Sequence, residues 1–176
     1  MVKIEQKLDL VCIGRSSVDL YGEQVGGRLE DMVSFAKYVG GSPTNISIGS
    51  SRLGLKTALI TKVGDEHMGR FIIEQLEREK VDISQVKIDP ERLTALVLLG
   101  IRNQHQFPLI FFRENCADMA ITPEDISQDF IASSKATLDQ YFYNVYKNSV
   151  KKSKNKFSID LKEFKKCNQE IKIRLI

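Results

Sequence analysis

Tryptophan is missing from this 176-residue sequence, and histidine, cysteine and proline are scarce at two, three and four copies. Each shortage removes a class of function. Cys12, Cys116 and Cys167 lie far apart with no CxxC pair. That excludes a disulfide framework and a thiolate zinc site, and they read as reduced thiols, two of them buried or nearly so. His67 has no second ligand at metal-binding spacing, so a solvated or helix-start histidine is the reading and a metal ligand the alternative. No run has the apolar length of a membrane span. Glu5 and Gln6 interrupt the opening residues where a secretory signal needs an unbroken apolar segment, so a cytoplasmic protein without membrane contact is expected. A phosphate-cradling GxxxxGK[ST] loop is also absent.

What is present is ordinary in bulk and uneven in detail. With 42% hydrophobic and 28% charged residues, the chain has the length and composition of one globular domain with a core of its own. Its net charge of +3 hides a division, because residues 137–176 hold ten Lys/Arg against four Asp/Glu. That tail is therefore +6 and the remainder −3. The tail also contains no Gly or Pro, unusual for forty residues of α/β protein. Either it is not native sequence, the frame or gene having been damaged, or it is a diverged helix–strand unit with FSIDL as its strand. Composition favours the first. Its basic charge is then incidental, and no aromatic-basic platform with defined spacing points to nucleic acid. The expected organisation is one domain over 1–136 followed by a divergent tail over 137–176.

Within 1–136 the apolar segments alternate between strand and helix character. Leu8–Gly14 reads as a buried parallel strand closed by glycine, and Thr57–Val63 as a second short strand. After Gly64, an amphipathic helix turns Met68, Phe71, Ile72 and Leu76 inward and Glu74, Gln75, Glu77 and Arg78 to water. Leu93–Ile101 and Pro108–Arg113 are β-type segments joined by RNQHQF, a polar connection of hairpin length. Met32–Val39 alternates only loosely. Thr122-Pro123-Glu124-Asp125 is a helix-start signal, predicting a short helix through Ile131 and then a strand near Ala136. The order predicts an α/β fold with a parallel sheet.

The densest signal is Gly40–Gly64, GGSPTNISIGSSRLGLKTALITKVG. Gly40 and Gly41 permit positive φ angles and close approach to a ligand. Ser42 is expected as N-cap and Pro43 at the first helical position, with Thr44 and Asn45 in a first turn that favours oxygen-rich ligands. Gly54 is expected to cap the end of this helix. The alternative is an ordinary helix start whose glycines serve packing alone. Asp19, a few residues past the first strand, is either a ligand contact or a turn aspartate. Arg113 is either a bidentate clamp for a carboxylate or keto oxygen, or a surface arginine paired with Glu114.

The order Gly40, Gly41, Asn45, Ser47, Gly54, Gly64 resembles the first signature of the ribokinase-like (PfkB) carbohydrate kinases. Segments over roughly 8–136, among them GRSSVDLYGEQ, SFAKYVGGSPTNI and FPLIFFRENCADMAIT, look like the branch of that family that phosphorylates a sugar acid. The resemblance implies a parallel sheet flanked by helices, with a small β lid built from segments near 20–27, 93–101 and 108–113. It makes Asp19, Gly40, Gly41 and Asn45 contacts for sugar hydroxyls, and gives Arg113 a use on an acidic sugar. Ribokinases proper often carry Lys where this chain has Ser42, which speaks against a plain pentose. ATP and Mg2+ are the implied cosubstrate and metal. The family's Gly-Ala-Gly-Asp motif, whose Asp is the base for the attacking hydroxyl, does not occur here, so no catalytic residue is assigned. The expectation is the N-terminal part of a sugar kinase, with the C-terminal half and ATP site missing and no activity of its own. The alternative is a non-catalytic module that binds a sugar acid or pairs through its lid as a homodimer.

Overall fold

The computed structural model describes residues 7–134, 150–153 and 156–159. The chain divides into two compact units, Met1–Ser134 and Lys135–Ile176. In the first unit, β1 (Leu10–Ile13), β2 (Ser17–Gly22) and β3 (Phe35–Gly40) lead into helix α1 (Ser42–Arg52). Strand β4 (Thr57–Gly64), helix α2 (His67–Arg78) and strands β5 (Val86–Asp89), β6 (Ala95–Leu99) and β7 (Leu109–Phe112) follow, before a short α3 (Gln128–Ala132). The described part of the second unit is a hairpin, β8 (Val150–Ser153) with β9 (Lys156–Ile159), antiparallel; β9 overlaps the FSIDL segment.

Two sheets make up the first unit. The body sheet has the order β1-β4-β5 and is wholly parallel. β4 is its centre, and seven of its eight residues are buried, so burial does not alternate along it as it would in a strand with one solvated face. Leu59 and Val63 pack with Ile72 and Leu76 of α2, Ile48 of α1 and Val81 in one cluster. A parallel bridge joins Leu8 to Ser134, on the approach to the strand expected near Ala136, which itself lies outside the described residues.

The lid sheet has the order β3-β2-β6-β7. β2 pairs antiparallel with β3 and parallel with β6, and β6 pairs antiparallel with β7. The lid strand expected near 20–27 lies at Ser17–Gly22, and Met32–Val39, which alternates too loosely to read as a strand, contributes β3. β3 and β5 are short edge strands with exposed residues, so neither carries the apolar alternation of a half-buried strand.

Caps differ in detail from expectation. Gly41 (φ 97°), not Ser42, is the N-cap of α1; Ser42 is the first helical residue and makes no capping bond, and Pro43 follows it. The φ a side chain tolerates poorly falls on the residue before the helix, and glycine occupies it. Gly54 (φ 91°) follows the C-cap as expected, its N–H bonding the Ser51 carbonyl at 2.9 Å. Thr122–Asp125 forms a capping box on a single 3-10 turn, and α3 starts afresh at the N-cap Ser127. Cys12 and Cys116 are buried and form no disulfide among the described residues, and Cys167 lies outside the described residues.

Candidate functional site

The site begins where the lid joins the body. Ser17 pairs with Gly40 on one side and Ala95 on the other, and Asp19 sits two residues further along β2, between Tyr38 and Val97. The Asp19 carboxylate packs against the Cα of Gly40 so closely that a Cβ there would overlap both its oxygens. A Cβ on Gly41 would overlap the Arg15 carbonyl. The glycine pair is thus required twice over: for a φ that brings β3 into α1, and for two close approaches from the β1–β2 segment.

Thr44 locks this junction. Its hydroxyl lies 3.1 Å from the Arg15 carbonyl and 3.0 Å from Ser16 Oγ, and the residue is fully buried. Of the two first-turn residues singled out by sequence, Thr44 is therefore a strut. Asn45 is exposed and lines a groove of about 550 Å³ between β3, α1 and α2, with Lys37, Tyr38 and Phe71. Tyr38 connects the two places, since it stands opposite Asp19 in the ladder and lines the groove with Asn45.

Burial pushes the Asp19 carboxyl above the usual range, opposed by the Ser17 hydroxyl, which donates to it at 3.1 Å, and by the nearby Arg15 guanidinium. Arg15 also lies 5.3 Å from the centroid of the Phe111 ring, and Phe111 shares the Asp19 face through Val97. An acid, a cation and an aromatic ring therefore meet on one face of the lid, and α1 begins directly after the partner strand β3 with no side chain capping its first turn.

Arg113 lies at the same end of the lid. It is one residue past the last β6–β7 pair, Leu96 with Phe112, so the register brings it level with Ala95 and Ser17, two strand spacings or about 10 Å from β2. It does not pair with Glu114. Its Nε and Nη2 donate to Asp118 Oδ2 at 2.9 and 2.6 Å, an acid that spacing alone did not mark because the chain folds back through a 3-10 turn at Ala117–Ala120. On the same side, Glu66 caps α2 and lines a groove with Thr94, Phe112 and Cys116. It accepts from Met68 N (2.6 Å) and Gly69 N (3.1 Å), and from Thr94 N at the base of β6 (3.2 Å). Burial raises its pKa, but these bonds and the Thr94 hydroxyl outweigh that and hold it low. His67 is exposed at the first turn of α2, and the described residues contain no group of three or more His, Cys, Asp or Glu able to hold a metal.

A helix-flanked parallel sheet with a four-stranded lid, joined at a glycine pair that faces an acid, defines a class: the α/β carbohydrate kinases with a β lid. The pfkB family carbohydrate kinase model matches residues 7–140, and the chain belongs to that family. It is 42% identical over 137 residues to the 5-dehydro-2-deoxygluconokinase of Bacillus thuringiensis (strain Al Hakam), covering 77% of this chain and 41% of that protein. Among solved structures it is similar to a PfkB protein from Polaromonas sp. JS666 (28% identity, TM-score 0.69, 73% of this chain and 43% of that one). A putative ribokinase II from E. coli, solved in complex with ATP and Mg2+, shares the fold at 20% identity (TM-score 0.66, 72% and 41%). The chain thus spans about two-fifths of the curated relatives it matches.

Proposed function

We propose that this chain is the sugar-binding part of an ATP-dependent kinase that phosphorylates a hydroxyl of 5-dehydro-2-deoxygluconate or a related sugar acid. The observation that carries the reading is the contact between the Asp19 carboxylate and Gly40. It sets a carboxylate beside the strand–helix junction of α1, whose first turn has no side-chain cap. In this reading Asp19 accepts hydrogen bonds from two sugar hydroxyls. Gly40 and Gly41 let the ring approach the backbone, Asn45 reaches the sugar from α1, and Arg113 receives the carboxylate. Burial that raises the pKa of Asp19 also strengthens each hydrogen bond it accepts.

ATP and Mg2+ serve the whole enzyme in the cytoplasm. The sequence has no Gly-Ala-Gly-Asp motif, so no step of the transfer is assigned to this chain. Alone, it binds sugar acid and does not turn over. Titration calorimetry with 5-dehydro-2-deoxygluconate tests this: wild type binds, and Asp19→Ala loses at least tenfold in affinity. ADP release is absent unless a C-terminal partner carrying the missing motif is added. No heat with any sugar acid would reject the reading.

The exposed strand β7 favours a second one. Leu109, Ile110, Phe111 and Phe112 are each about half exposed at the sheet edge. A non-catalytic module pairing through this edge as a homodimer would cover them. Sedimentation that stays monomeric at high concentration counts against it.

A further inference from the structure

We infer that Asp118 is a positioning residue for Arg113, and through it sets the preference of this site for an acidic over a neutral sugar. The inference rests on the reading of Arg113 as the group that receives the substrate carboxylate. Asp118 has no exposed side-chain surface, whereas the Arg113 side chain keeps 36% of its own. Both contacts of the guanidinium fall on one oxygen, Oδ2, and use the Nε–Nη2 edge. Asp118 Oδ1 is buried with no hydrogen-bond partner among the described residues. Asp118 is the only hydrogen-bond partner of the Arg113 guanidinium among the described residues, so the donors of Nη1 and one donor of Nη2 remain for a ligand.

Two features separate positioning from plain stabilisation. First, a carboxylate kept for stability would have both oxygens satisfied, because a buried unpaired acceptor costs free energy and an apolar side chain of similar volume would not. The orphaned Oδ1 indicates that what the acid does for the arginine is retained despite that cost. Second, Asp118 is held from the body. Lys62 of β4 donates to the Ala120 carbonyl at 2.8 Å while pairing with Asp125 at 2.6 Å, and Ala117 N donates at 2.9 Å to the carbonyl of Leu93, in the connection that leads into β6. Arg113 stands at the end of a lid strand, so the pair fixes a lid-borne guanidinium to a point on the body sheet. The fork left open is planar and two-pronged, the geometry a carboxylate takes up.

The test uses the 176-residue chain and two ligands, 5-dehydro-2-deoxygluconate and fructose as a neutral ketose. Asp118→Asn keeps the size of the side chain and an acceptor for Arg113 but removes the charge that holds it. The expected result is about a tenfold loss of affinity for the acid with fructose binding unchanged. The Arg113 Nε–H resonance, sharp and exchange-protected in wild type, should broaden while backbone amide positions elsewhere hold. Arg113→Lys should lose the acid preference alone, and adding Asp118→Asn to it should change nothing further. Equal losses for acid and ketose, or an unchanged acid affinity in Asp118→Asn, would overturn the positioning role. If Arg113→Lys binds the acid as wild type does, the assignment of Arg113 fails first.

Discussion

Strands β4 and β7 draw on the same kind of residue and meet opposite fates. β4 is central in the body sheet, with Ala58, Leu59 and Val63 fully buried and Ile60 almost so. β7 is the outer strand of the lid, and its four residues, LIFF, are each about half exposed. Apolar content therefore identified both as strands but said nothing of what covers them. The body strand is completed by α1 and α2 from its own unit. The lid strand has β6 on one side and no further strand among the described residues on the other.

The comparison breaks if a cut into the body costs no more than a cut into the lid edge. Leu76→Ala empties a site in the core cluster and should cost about 2–5 kcal/mol in urea unfolding. Gly41→Ala forces a side chain into φ 97° and onto the Arg15 carbonyl; about 1–3 kcal/mol should be lost, with sugar-acid binding. Glu66→Ala removes the α2 cap and its tie to Thr94 and should cost about 1–2 kcal/mol, read from the melting midpoint. Ile110→Ser on β7 should change stability by about 1 kcal/mol or less. It should weaken self-association in sedimentation if the lid edge pairs.

The smallest effects are in pH. Burial raises the Asp19 pKa in the fold, so its contribution is best below the ordinary carboxylate value and is lost as pH rises through the raised one. Asp125 is the reverse. Its bond to Lys62, then those to Thr122 N and Lys87, hold its pKa well below the ordinary value. Its stabilisation is present above the ordinary value and is lost as pH falls through the depressed one. Melting curves from pH 3 to 7 should show Asp19→Asn gaining relative to wild type toward neutrality, and Asp125→Asn losing most there. An Asp19→Asn midpoint that falls behind wild type at neutral pH contradicts the burial argument.

Part of the site could be read in advance because its signals are local. Glycines at 40, 41, 54 and 64, the period of α2 and the β-prone run of β4 each depend on neighbours a few residues away. The strands β3 and β5 could not, because FAKYVG and VKID mix apolar and charged side chains without a clear alternation. Thr44 as a strut and Asp118 as the partner of Arg113 were missed for another reason. Each meets its partner only after the chain has turned back on itself, Thr44 across 28 residues to Ser16 and Asp118 through a 3-10 turn.

By itself the sequence determined the α/β order, the helix opened by a glycine pair, and the kinship carried by that pattern, since each follows from backbone preference and side-chain period. Only the tertiary structure decided that Asp19 lies against Gly40 and that Arg113 is held from the body by a buried acid. Those contacts follow from the register of β2 against β3 and from the packing of the 113–120 segment on β4. Register is a long-range property, fixed by which faces can be buried together.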